Sequence, residues 1–397
     1  LWDPGDGIDL LVLSGTGFRF STDAPELAFW THDKGPRTYT VAQVDANDAF
    51  RSLYDRPAKA GPDWPQSVAV DGDGWLVAST SKAGLRLWDL SRGRAIAYLP
   101  IGLTHSALFL PDGSALITIA PRRVLRWPLQ RDGHVLHVGP PENVLPDLQG
   151  DFGRGCLSTD GSTLVLSMNR DHALVIDLHN TSERRTIGPH AGLCSLSLSP
   201  DNRWLATGAW KGSDAKVWDF ASGELTQVIP TPSHVEVGIG RDGRWLVTSE
   251  TEYVLWEMET WRSVARFPRP EYLDLPGMVA FSPDGQFLAA ISKAGTIDLV
   301  DLAHREMVAN LECPLPLDIR ALSITPDGTR ILLTGREGHI LHIWDLRVVR
   351  ENLAAIGLDW DLPPYPPREN AVTPPPLRAS ISSGLSSVAA MSAATSG

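Results

Sequence analysis

His190 and Cys194 stand four residues apart, a spacing at which an imidazole and a thiolate can share a metal ion. A tetrahedral site needs two further ligands, and no second pair accompanies them, so no metal is expected. The three cysteines, Cys156, Cys194 and Cys313, are odd in number and far apart. They read as small buried hydrophobes rather than as a disulfide framework. Asp151-Phe152-Gly153 spells the metal-holding triplet of phosphoryl-transfer enzymes. Such an enzyme also needs an upstream His-Arg-Asp and a Gly-rich loop opening a helix, and neither is present. No Gly-x-Ser-x-Gly elbow occurs, and His and carboxylates are scattered without a constellation. No catalytic residue and no cofactor is therefore expected.

The elements that would carry any site come from a repeat. An Asp followed by Gly, once by Asn, recurs at 73, 112, 160, 201, 242, 284 and 327, in steps of 39 to 48 residues. Asp-Gly is hairpin chemistry, because Gly tolerates positive φ and Asp hydrogen-bonds its own backbone. Each turn leads into an apolar run, such as Trp204-Leu205-Ala206 or Phe287-Leu288-Ala289. A third strand follows, ending at Trp88-Asp89, Trp127-Pro128, Ile176-Asp177, Trp218-Asp219, Trp256-Glu257, Val300-Asp301 or Trp344-Asp345. A more polar fourth strand comes next, as at Thr226–Ile229. Four strands cannot bury their own faces, whereas radial packing of such sheets buries both sides of the inner ones.

The stretches Leu196-Ser197-Leu198-Ser199-Pro200-Asp201 and Phe281-Ser282-Pro283-Asp284-Gly285, with the Trp-Asp endings at 88, 218 and 344, resemble the WD-repeat (WD40) family over roughly residues 65–345. The resemblance implies an all-β propeller that binds other macromolecules. It also implies a tetrad of His, Ser/Thr, Trp and a turn Asp in each strong repeat. Only His190, and more loosely His105, approximates the His. Lys82 and Arg170 stand where the turn Asp is expected, six residues before the Trp or its substitute. Few complete tetrads and mainly apolar packing are expected, with apolar inner strands.

The last repeat lacks a fourth strand, so an earlier segment must close the ring. If Ile8–Leu13 supplies the strand, the ring has eight blades; if Phe50–Tyr54 does, it has seven. Phe18–Asp23, Leu27–Trp30 and Arg37–Val41 match a degenerate extra unit, which tilts the expectation slightly to eight. The expected division is an upstream or closing strand over 1–14, the propeller over 15–345, a capping helix and closing segment over 346–362, and a disordered tail over 363–397 rich in Pro, Ser and Ala. Trp360 and Leu362 are expected to pack on the outer blades.

In this family the turn between second and third strands lies on one face of the ring. Here those turns carry Lys34, Lys82, Arg122 with Arg123, Arg170, Lys211, Lys293 and Arg336, broken only by Glu250 and Glu252. One cation per blade makes a basic rim on an acidic protein, whose formal charge is −12. Such a rim favours acidic or phosphorylated protein or peptide partners, and Trp210 adds an aromatic anchor. The overall charge argues against nucleic acid.

The closing stretch Trp344-Asp345-Leu346-Arg347 through Asp359-Trp360-Asp361-Leu362-Pro363-Pro364-Tyr365 resembles the end of the WD-repeat region in large bacterial proteins, many of them serine/threonine kinases. That resemblance implies a scaffold or sensor at the C-terminus of a signalling protein. Leu1-Trp2-Asp3 reads as the end of a preceding blade, so the chain is taken as a piece of a longer one. No apolar run reaches the ~20 residues of a membrane span. Cytoplasmic placement is expected, with tethering through an upstream segment as the alternative. The competing functional reading is a propeller enzyme or small-ligand sensor using the central channel.

Overall fold

The computed structural model describes the backbone of residues 16–20, 26–31, 38–43, 49–55, 63–210, 212, 214–232, 234–269, 277–293, 295–314, 317–355, 359, 363, 365 and 377–382, with side chains from residue 49 onward. Seven antiparallel sheets form a ring. Their strands are called a to d from the channel outward. Blade 1 is Pro65–Val70, Leu76–Ser81, Leu85–Asp89 and Arg94–Leu99. Blade 2 is Ser106–Phe109, Ala115–Ala120, Arg123–Asp132 and Val135–Val138. Blades 3, 4, 5 and 6 run over 152–187, 193–230, 236–268 and 279–312 in the same order. Blade 7 is Ala321–Ile324, Arg330–Thr334 and Ile340–Asp345, completed by Phe50–Tyr54 as its d strand. Each a strand neighbours the a strands on either side, and Ala321–Ile324 returns to Pro65–Val70, closing the circle.

The Asp-Gly turns take the conformation their residues favour. Asn202 has φ 57°, beside glycines at 70° to 78° in the other six turns. In four blades a Ser or Thr two residues earlier donates to the turn Asp, as Ser199 Oγ to Asp201 at 2.6 Å, and accepts a backbone amide five residues on. Strands b are sandwiched between neighbouring blades, so Leu76–Ser81 and Ala115–Ala120 are buried at every residue. Outer strands such as Leu225–Pro230 meet solvent on one side.

Of the two blade counts the sequence allowed, the structure has seven. The preference for eight falls because Phe50–Tyr54 pairs along Ile340–Trp344 and leaves no edge for another blade. Thr16–Phe20, Glu26–Thr31 and Thr38–Gln43 do form strands, but as a sheet of their own. Residues 1–14 lie outside the described residues.

The helix Leu346–Ala355 follows the last c strand, burying Leu346 and Val349 against the apolar layer between blades 6 and 7, with Val348 also buried. Trp360 and Leu362 lie outside the described residues. Within the tail expected to be disordered, residues 377–382 are ordered. Arg378–Ile381 forms a strand parallel to Val135–Val138, because the d strand of blade 2 offers unpaired backbone groups that an extended segment satisfies. Among the described residues no helix is long and apolar enough to cross a membrane.

Candidate functional site

The start of each a strand faces the channel mouth, on the side of the ring that carries the b–c turns. Gln66, His105, Arg154, Cys194, Glu236, Met278 and Arg320 stand there, one from each blade, around a cavity of about 580 Å³. The expectation of apolar inner strands is therefore wrong at their first residues. Side chains deeper in these strands pack between blades, whereas those at the mouth meet water and can be polar. Each lies six or seven positions before its turn Asp, a fixed offset that could have revealed the ring.

Arg154 reaches past blade 4 and donates to both carboxylate oxygens of Glu236, at 2.7 and 2.9 Å. Burial pushes the Cys194 thiol up to about 12, with Glu236 adding to the effect. Burial likewise holds His105 below its ordinary value, helped by the Arg154 cation. Two indoles rise at opposite sides of the mouth. Trp64 has Lys82, Arg320 and Arg336 at 5.4, 5.1 and 5.2 Å from its ring centre. Trp210 stacks on His234 at 4.9 Å. Trp64, Arg154 and Arg320 went unnoticed in the sequence because they lie outside the b–c turns.

Lys82, Arg122, Arg170, Lys293 and Arg336 are exposed at b–c turns of five blades. Lys82, Arg170 and Trp210 also line the mouth. Arg336 is shared with Asp318 at 3.0 Å, and Arg170 sits 4.0 Å from Asp151. Arg123 turns inward and donates to the Ile101 carbonyl. Glu252 at the blade 5 turn pairs with Arg266. Lys34 and Lys211 lie outside the described residues. Among the cavity's lining residues, Lys82, Arg154, Arg170 and Arg320 stand against Asp151 and Glu236.

His190 and Cys194 do not share a site. Both His190 nitrogens are engaged: Trp218 Nε1 donates to Thr207 Oγ1 at 2.9 Å, Thr207 donates to Nδ1 at 2.7 Å, and Nε2 donates to Asp214 at 3.1 Å. This is a complete tetrad, and its carboxylate stands four residues before Trp218 instead of six. Blades 1, 2 and 5 keep only the Trp-to-hydroxyl bond, to Ser79, Thr118 and Thr248. Phe152 of the Asp-Phe-Gly triplet opens an a strand and is buried. Among the described residues no group of three or more His, Cys, Asp or Glu could hold a metal.

The family model for the WD domain, G-beta repeat, matches residues 181–219. Among curated proteins, none matches the chain. The matched stretch contains the whole tetrad and runs from the d strand of blade 3 through the c strand of blade 4. Sequence repeat and blade are thus offset by one strand, the same offset that makes blade 7 take its d strand from Phe50–Tyr54. With seven blades in a closed ring and a WD repeat spanning the d strand of one blade and the first three strands of the next, the chain is a seven-bladed β-propeller that carries a WD40 repeat at residues 181–219.

Proposed function

We propose that this propeller is a non-catalytic protein-interaction scaffold whose b–c face binds an acidic or phosphorylated segment of a partner protein. The carrying observation is the mouth itself, where Trp64 is surrounded by Lys82, Arg320 and Arg336 beside a cavity with four cations and two carboxylates. Cations converging on one concave mouth focus the field there and offer charge-assisted hydrogen bonds to a carboxylate or phosphate. The exposed cations Lys82, Arg122, Arg170, Lys293 and Arg336 extend the attraction around the rim. Trp210 supplies a second apolar anchor. The thiol of Cys194, held protonated, and the Arg154–Glu236 pair favour binding over catalysis at the mouth.

The test is binding of acidic and phosphoserine peptides to wild type and to the triple variant Lys82→Glu, Lys211→Glu, Lys293→Glu. Loss of salt-sensitive binding in the variant is expected, and unchanged affinity overturns the reading. The closing stretch Trp344 to Tyr365 further supports a place in a bacterial signalling protein, C-terminal to a serine/threonine kinase domain. The coding sequence upstream of Leu1 decides that point: a kinase domain there supports it, and any other domain removes it.

A further inference from the structure

The second region of unmatched chemistry lies on the opposite side of the ring, at the outer edge of blade 2. Its c strand, Arg123–Asp132, is long enough for two partners. Its first half pairs with Glu142–Asn143, through Leu125 and Asn143. Its second half carries Val135–Val138, with Leu129 opposite Val138. The hairpin therefore extends past the blade and offers an open d edge. The tail segment Leu377–Ile381 lies on that edge, with Arg378 N donating to His134 O at 2.7 Å and Ser382 N to Val138 O at 2.9 Å.

The fit is good in shape and poor in charge. Leu377 is buried, and its amide donates to Asp89 Oδ2 at 2.8 Å. Ile381 packs on the apolar layer that holds Leu136 and Val138. Between these anchors Arg378 enters a cavity of about 540 Å³ whose other lining residues are Arg92, Arg94, His134 and Val135. Among the described residues, no carboxylate pairs with Arg92, Arg94 or Arg378. The nearby Asp89 carboxylate is engaged by Ser91 and by the Leu377 amide. Like charges gathered in one cleft weaken the strap that brings them together.

We propose that this edge is a strand-addition site for an extended segment of a partner protein reading apolar, acidic, small, any, apolar, and that Leu377–Ile381 is its weak occupant in cis. Backbone pairing supplies affinity and alternate side chains supply selection, as in other strand-addition complexes. An acidic residue at the position of Arg378 faces Arg92 and Arg94 and turns repulsion into attraction. The Pro-rich linker over 363–376 keeps the strap at an effective concentration on the order of millimolar, so a ligand must outcompete it.

The experiment uses the full chain, wild type and Leu377→Asp, which sets a carboxylate against Asp89 and unseats the strap. The probes are a fluorescein-labelled peptide of residues 376–382 and its Arg378→Glu form, read by anisotropy. The Glu peptide is expected to bind Leu377→Asp about tenfold tighter than the Arg peptide. That advantage shrinks at ~1 M salt, where the Debye length is about 3 Å. Wild type is expected to bind both at least ~10-fold more weakly, since the tethered strap competes. Hydrogen exchange over residues 135–138 should quicken in Leu377→Asp and slow again when the Glu peptide is added. No binding of either peptide to a folded Leu377→Asp chain overturns the proposal, as does equal affinity for the two. Ile381→Asp lifts the other end of the strap and carries the same expectations should Leu377→Asp misfold.

Discussion

At the scale of single residues, blade 4 shows how much one His holds together. His190 sits between Thr207 and Asp214 as a neutral ring, with burial holding its proton affinity below the ordinary value. The donors are ordered along the chain of bonds from the Trp218 indole outward, so every buried polar group has a partner. His190→Ala leaves the Thr207 hydroxyl and the Asp214 carboxylate without that partner. Stability should fall by about 1 to 3 kcal/mol, read by urea unfolding. Trp218→Phe should cost less, because it removes a donor and leaves only one lone pair unfilled. The His was visible in the sequence. Its carboxylate was not, because Asp214 stands four residues before Trp218, out of the expected spacing of six.

At the scale of elements, the ring depends on one borrowed strand. Ser52 Oγ of that strand shares a hydrogen bond with His342 Nδ1 at 2.7 Å, and Phe50 stacks on the same imidazole at 5.7 Å. Nearby, Arg86 of blade 1 joins the end of the borrowed strand to the connection into blade 1, pairing with Asp55 at 3.0 Å and Asp63 at 2.9 Å. Burial lowers the His342 pKa to about 4. The unfolded chain takes up a proton below about 6.5, while the folded ring refuses it until about 4. The folded pKa is depressed, so stability is full above the unfolded value and is lost as pH falls through this window, by roughly 3 kcal/mol. His105 and His190 shift in the same direction and steepen the slope. His342→Gln should flatten the decline in chemical-denaturation midpoints between pH 6.5 and 4; an unchanged slope would remove His342 from the account. The repeats and their turns were legible because each is local chemistry, Asp-Gly and a run of apolar residues. The closing partner was not, because two sequence segments, Ile8–Leu13 and Phe50–Tyr54, match the missing strand and only pairing with Ile340–Trp344 chooses.

At the scale of the whole molecule, the ring gathers side chains that are far apart in sequence. Trp64 and Trp210 face one mouth although 146 residues separate them (210 − 64). A charged rim and an indole pair act on a partner in different ways. Rim cations act through the field and on association, and salt weakens them. The indoles act through buried contact area and resist salt. Trp64→Ala should therefore weaken an acidic peptide about tenfold or more at both low and high salt. The Lys82, Lys211 and Lys293 reversals should matter chiefly at low salt. Isothermal titration at two ionic strengths separates the two contributions, and identical salt slopes for both variants would contradict the division.

The sequence by itself determined the type of fold, the turn positions and the b–c cations, because a repeat of about 41 residues writes the same local instructions seven times. Tertiary structure alone decided the blade count and the docking of Arg378–Ile381 on blade 2. Each of these depends on which strand edges meet across the molecule. Such meetings are set by the geometry of closing seven sheets into a circle, and no window of the chain contains both partners.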